Sequence, residues 1–263
     1  MSVFRLAVFS LLVSASALAV GASRTPFPDA RGFAAITILP DLTPPKAPVR
    51  ADIVLARLNE RLTAEMRAHF DLFLYVSKSD HGPLAQRMYV FRKRPDGLKL
   101  AYEWTASTGR EKVEVNVRGR RVITATPMGY YQLDPKRMYA QYHSASWDQD
   151  MTSAMFFDWV RAGSQTGLAI HAAAPVDIAK LGSRASGGCV HLAPDNAAAL
   201  FDLIQTNFRG PVPRFAYDHE IRTGSNRGDF MRDRGGALKM AGGYRVLVVV
   251  EDYGGEDAIA ALF

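Results

Sequence analysis

The stretch Ile170–Leu192, IHAAAPVDIAKLGSRASGGCVHL, contains the only cysteine of the chain. Gly187 and Gly188 precede Cys189, and His191 follows it by two places. A working cysteine reacts as its thiolate, and a free thiol has a pKa of about 8.5. It therefore needs a base, or a helix N-terminus, to lower that value. The attacked carbonyl needs backbone N–H donors that no side chain obstructs. Gly187 and Gly188 meet that need, and glycine tolerates a tight turn that exposes the next side chain. GLAI, just before His171, reads as a short strand, so His171 falls at a strand end. PDNAAALFDLIQTNF reads as a helix capped by Asp195, with Leu200, Leu203 and Ile204 facing inward, and it places Cys189 just before a helix. If residues 189–191 are extended, Cys189 and His191 share a face; if they turn into the helix, they diverge. Pending that choice, His171 is the better base.

Outward from this stretch the pattern is mostly strand. LFLYVS and RMYVFR read as strands, and RPDGL is a Pro-Asp-Gly turn signal. Leu98, Leu100, Tyr102 and Trp104 alternate with more polar residues, as do Val113, Val115 and Val117. YRVLVVV suits a strand buried on both faces. These short strands and turns predict a mainly β core with a few helices (α+β). In ADIVLARLNERLTAEMRAHF, Leu55, Leu58, Leu62, Met66 and Phe70 recur at helical steps, with Asp52 as a cap. A helix over 51–70 packed on the main domain is expected. Residues 222–243, rich in Gly and Arg, read as a flexible surface loop. A basic flap over an anionic ligand is the sharper alternative.

The N-terminus has Arg5, then the apolar run LAVFSLLVSASALAV, then small residues. This is the layout of a signal peptide over 1–22, cleaved after Ala19 or Ala22. A membrane anchor is the competing reading, but the run is short and serine-interrupted for a span of about 20 apolar residues. Residues 23–50 read as a Pro-rich spacer, 71–253 as the main domain and 254–263 as a C-terminal tail. An exported chain with one cysteine forms no internal disulfide, so the thiol is either buried and inert or at work. The net charge of +6 suits anionic partners, but the basic residues are scattered. No interleaved basic and aromatic pattern indicates nucleic acid.

The segment from His171 to His191 resembles the catalytic signature of the L,D-transpeptidases. That signature is a histidine, a gap of about fifteen residues, then Ser-His-Gly-Cys, an apolar residue and Arg or Asn. Here the order is His171, then Ser186-Gly187-Gly188-Cys189-Val190-His191. QRMYVF, ASTGR and TPMGYYQL upstream are similar to the family's early strand, Ser-Thr-Gly turn and Thr-Pro-x-Gly segment. The resemblance runs from about Leu72 to Leu203.

It implies a β-sandwich catalytic fold preceded by a helix, with no cofactor. It implies a cysteine acyl-enzyme acting on peptidoglycan stem peptides, with a stem peptide, a wall protein or water as acyl acceptor. Carbapenems would acylate the same cysteine, and the compartment would be the periplasm. Carried over, Cys189 is the nucleophile, His171 the base, and Ser186 or a local backbone carbonyl the holder of the imidazole. The N–H groups of Gly188 and Cys189 form the oxyanion hole. His191, Gly187 and Tyr131 contact substrate.

The chain departs from the motif at Gly187, where histidine is usual, at His191, where Arg or Asn is usual, and at Ala172, where glycine is common. Most aromatics between Tyr130 and Trp159 read as core and hairpin packing. Two other readings compete. One is a wall-binding module of the same fold with lost or hydrolytic activity, motivated by Gly187 and His191. The other is a metal site at His171, Cys189 and His191, which lacks a fourth ligand and the usual zinc spacing.

Overall fold

The computed structural model describes residues 49–256. The signal segment and all but the last two residues of the spacer lie outside the described residues. Most of the C-terminal tail does too. Nine strands form one sheet. In chain order they are β1 (Leu72–Ser77), β2 (Arg87–Arg94), β3 (Gly97–Ser107), β4 (Gly129–Tyr131), β5 (Leu133–Ser144), β6 (Gln149–Phe157), β7 (Ala169–Ala172), β8 (Val190–Leu192) and β9 (Val246–Glu251). Across the sheet they run β4-β9-β1-β2-β3-β8-β7-β6-β5. The mainly β fold is as expected.

The sheet curls. Tyr131 on one edge strand stacks on Phe157, which lies near the opposite edge, with ring centroids 4.9 Å apart. The two ends therefore meet around a shared core. Alternation along β1 and β9 divides their side chains between two faces. Leu72, Leu74, Val76, Val246, Val248 and Val250 point into the curl, where α3 (Pro194–Asn207) closes it with Ala197, Leu200 and Ile204. Phe73, Tyr75, Leu247 and Val249 point outward beneath Leu58, Met66 and Phe70. Strands buried on both faces carry no polar alternation, which is why LFLYVS and YRVLVVV read as continuous apolar runs.

Four expectations need correction. The helix over 51–70 is two helices, α1 (Val49–Arg61) and α2 (Ala64–His69). The break lies at Leu62-Thr63, where the Thr63 hydroxyl accepts the Met66 N–H at 3.2 Å and starts a new helix. Asp52 and Asp195 sit in first turns and are not caps; α3 begins at Ala193-Pro194, with no side-chain cap. Val113, Val115 and Val117 belong to a small hairpin outside the main sheet and are 57–64% exposed. The region 222–243 is built into the fold. Phe230 stacks between Phe70 and Phe215, and Met240–Tyr244 pairs with Arg209–Pro213.

Candidate active site

β7 and β8 are parallel neighbours, and their register sets His171 directly across from His191. The two rings lie 4.5 Å apart at 60°. β8 also pairs with the end of β3, opposite Ser107. The strand runs Val190–Leu192 with Cys189 in the bend just before it, and Cys189 lines one cleft with both imidazoles. The cysteine therefore precedes a strand, and the expected helix start lies five residues further on, at Pro194.

His171 is 2% exposed, and its Nδ1–H donates to the carbonyl of Ala172 at 2.8 Å. A carbonyl only accepts, so the proton sits on Nδ1 and Nε2 keeps a lone pair. Burial, with the neighbouring His191 adding to it, lowers His171 to about 3. His191 is 4% exposed, and its Nδ1 has no hydrogen-bond partner. Burial lowers it to about 4, against an opposing pull from Asp177. The Cys189 thiol donates to the Gly167 carbonyl at 3.5 Å, and burial pushes it up to about 11. At neutral pH the resting site is thus an uncharged thiol beside two uncharged imidazoles.

These imidazoles link folding to acid. Their folded values lie below the ordinary 6.5 of the unfolded chain, so unfolding takes up protons as the pH drops. Their contribution to stability is complete above pH 6.5 and is lost as the pH falls toward 4 and 3. We expect Tm to decline from pH 6.5 to pH 4, by about 1.4 kcal/mol per imidazole per pH unit in stability. His191→Asn should flatten that slope. An unchanged slope in thermal melts across this range would show that the imidazole is not held neutral by burial.

Ser186 does not hold the imidazole. Its hydroxyl donates to the Cys189 carbonyl at 2.5 Å and accepts the Gly188 N–H at 3.0 Å. The residue is a strut inside the Cys189 loop, and the backbone carbonyl of Ala172 holds His171. The Gly188 N–H, expected in the oxyanion hole, is thereby engaged inside the protein. The loop is braced from two sides. The Thr108 carbonyl accepts the Ser186 N–H at 2.9 Å, and the Arg110 N–H donates to the Ser186 carbonyl at 3.1 Å. The Thr126 hydroxyl donates to the Gly188 carbonyl at 2.7 Å and accepts the Gly109 N–H at 2.8 Å. The Ser-Thr-Gly turn and the Thr-Pro-x-Gly segment thus serve as its scaffold.

Gly188 is at φ +123°, and a Cβ there would lie 2.9 Å from the Ala125 carbonyl oxygen. Gly188→Ala should destabilise the protein by about 1–3 kcal/mol and slow any reaction at Cys189. Urea unfolding beside the wild type tests this, and equal midpoints would remove the strain argument.

Cys189, His171, His191, Ser186 and Gly187 line one cavity of about 580 Å³. Its other walls include Arg110, which closes the ASTGR motif, Asp177, in the gap between His171 and Ser186, and Arg118, Trp147 and Gln149, which lie in none of the motifs. A cavity of about 660 Å³ elsewhere, near Arg214 and Lys239, contains neither Cys189 nor His171. Tyr131 is outside the cleft. It is 1% exposed, its hydroxyl donates to the Pro127 carbonyl at 2.9 Å, and it belongs to the core. Burial of its flanking strand against Phe157 and Trp159 overrides the expected substrate role. Among the described residues, no group of three or more His, Cys, Asp or Glu is placed to hold a metal.

The family model of the L,D-transpeptidase catalytic domain matches residues 73–230, which includes the whole braced loop and both histidines. The chain belongs to this family. Solved structures similar to it include the L,D-transpeptidase LdtMt1 in complex with imipenem, at 17% identity over 69% of this chain and TM-score 0.37. Another is an L,D-transpeptidase from Xylanimonas cellulosilytica, at 17% identity over 74% of this chain and 68% of its own, with TM-score 0.36. A third is the helical cell shape determining protein Pgp2 of Campylobacter jejuni, at 14% identity over 78% of this chain and TM-score 0.37. The chain spans 59% of the length of the first and 55% of the third. No curated protein sequence matches it. Among the described residues no helix is long and apolar enough to cross a membrane.

Proposed function

We propose that the chain is an exported cysteine acyltransferase that acts on peptidoglycan stem peptides in the periplasm. The observation that carries this reading is that Cys189 and His171 line one cleft, with Nε2 of His171 left as the free base. In the first half-reaction Sγ attacks the acyl carbonyl of the donor stem while His171 Nε2 takes the thiol proton. The carbonyl oxygen becomes an oxyanion facing the Cys189 N–H. The C–N bond then breaks, and the imidazolium returns its proton to the departing amine of D-alanine. In the second half-reaction an acceptor amine attacks the thioester, gives a proton to His171 and releases Sγ, which regains it. A second stem gives a crosslink, a protein amine gives attachment to the wall, and water gives hydrolysis.

One alternative, motivated by Gly187 and His191 in place of the usual motif residues, is a wall-binding module of the same fold without turnover. The test is incubation with disaccharide tetrapeptide and mass spectrometry of the products. Free D-alanine together with a crosslinked dimer supports transpeptidation, and D-alanine with tripeptide supports hydrolysis. Intact tetrapeptide in the presence of measurable binding would leave the module.

A further inference from the structure

The position where the resemblance calls for histidine is Gly187, and a side chain from elsewhere lies against it. A Cβ on Gly187 would lie 2.8 Å from Cε2 and 3.0 Å from Cζ2 of Trp147. Trp147 comes from the turn between β5 and β6, which reaches the Cys189 loop, and Trp147, Gly187 and Cys189 line the same cleft.

The turn that carries the indole is anchored. The backbone N–H of Trp147 donates to the Ser144 carbonyl at 3.1 Å, and Arg118 Nε donates to the Ala145 carbonyl at 2.9 Å. Gln149 Nε2 donates to Asp177 at 3.0 Å, and the Arg110 guanidinium lies over the indole, 5.6 Å from its centroid. The indole Nε1–H has no acceptor among the described residues. A positioned aromatic wall with a free donor beside a nucleophile is suited to a peptide chain, which offers flat amide groups and carbonyl acceptors.

We infer that Trp147 is a specificity-determining residue that binds the acyl-donor peptide, and that Gly187 is glycine because the indole occupies the space of its side chain. This rests on the proposed acyl transfer, but binding tests it separately. Titrate disaccharide tetrapeptide into the Cys189→Ala protein by calorimetry, then into the same protein carrying Trp147→Phe or Trp147→Ala. We expect Trp147→Ala to weaken binding about tenfold or more, with Trp147→Phe intermediate because it keeps a ring and loses the N–H. Gly187→Ala should weaken binding when Trp147 is present and have little further effect in Trp147→Ala. Unchanged affinity in Trp147→Ala, with the variant folded by circular dichroism, overturns the inference. Failure of the wild type to release D-alanine while Trp147-dependent binding persists would overturn the acyl-transfer reading and leave this one standing.

Discussion

Cys189→Ala is expected to remove turnover and the covalent carbapenem adduct together, while the protein stays folded. Intact mass after incubation with a carbapenem should show one added inhibitor on the wild type and none on the variant. The expected loss of turnover is on the order of 10⁴–10⁶-fold, the scale seen when a covalent nucleophile is deleted. The effect on stability should be within about 1 kcal/mol, because the hydrogen bond from the side chain to the Gly167 carbonyl is long, at 3.5 Å. The Cys189 loop keeps its shape through Ser186, Thr108 and Thr126, none of which bonds to the sulfur. An adduct that persists on Cys189→Ala would move the nucleophile elsewhere. No adduct on the folded wild type would favour the binding module, or a cleft this inhibitor does not enter.

His171→Ala is expected to lower turnover by on the order of 10²–10⁴-fold, the range for loss of a general base. The thiol is held up to about 11, so the base must take its proton as attack proceeds. Because burial lowers His171 to about 3, it is unprotonated throughout the neutral range, and the acylation rate should show no step near pH 6.5. The alanine variant also strands the Ala172 carbonyl in the interior. His171→Asn is therefore the companion variant, since its amide can still donate there. Both should show the same deficit in single-turnover acylation. His191→Ala should be milder. An equal loss in His191→Ala would transfer the role of base to that imidazole, whose unpartnered Nδ1 lies on the same face.

The mainly β class, the two-sided burial of LFLYVS and YRVLVVV, and the inner face of α3 were legible because each is a local pattern of apolar residues. The break at Thr63 was not, because Leu62 and Met66 keep the helical spacing across it and only the backbone records the new cap. Tyr131 was misplaced for a related reason. An aromatic in a motif reads the same whether its strand turns it toward a cleft or into the core, and here it meets Phe157 only because the sheet curls.

By itself the sequence determined the chemistry available: one thiol, two nearby histidines, glycines where a loop must pass close to its neighbours, and strands to carry them. Tertiary structure decided which of these groups meet. The parallel register of β7 and β8 sets His171 against His191, Ser186 turns inward to strut its own loop, and Trp147 arrives beside Gly187 from a distant hairpin. Such pairings depend on sheet order and hydrogen-bond register, which join residues far apart in the chain. Local spacing carries no record of them.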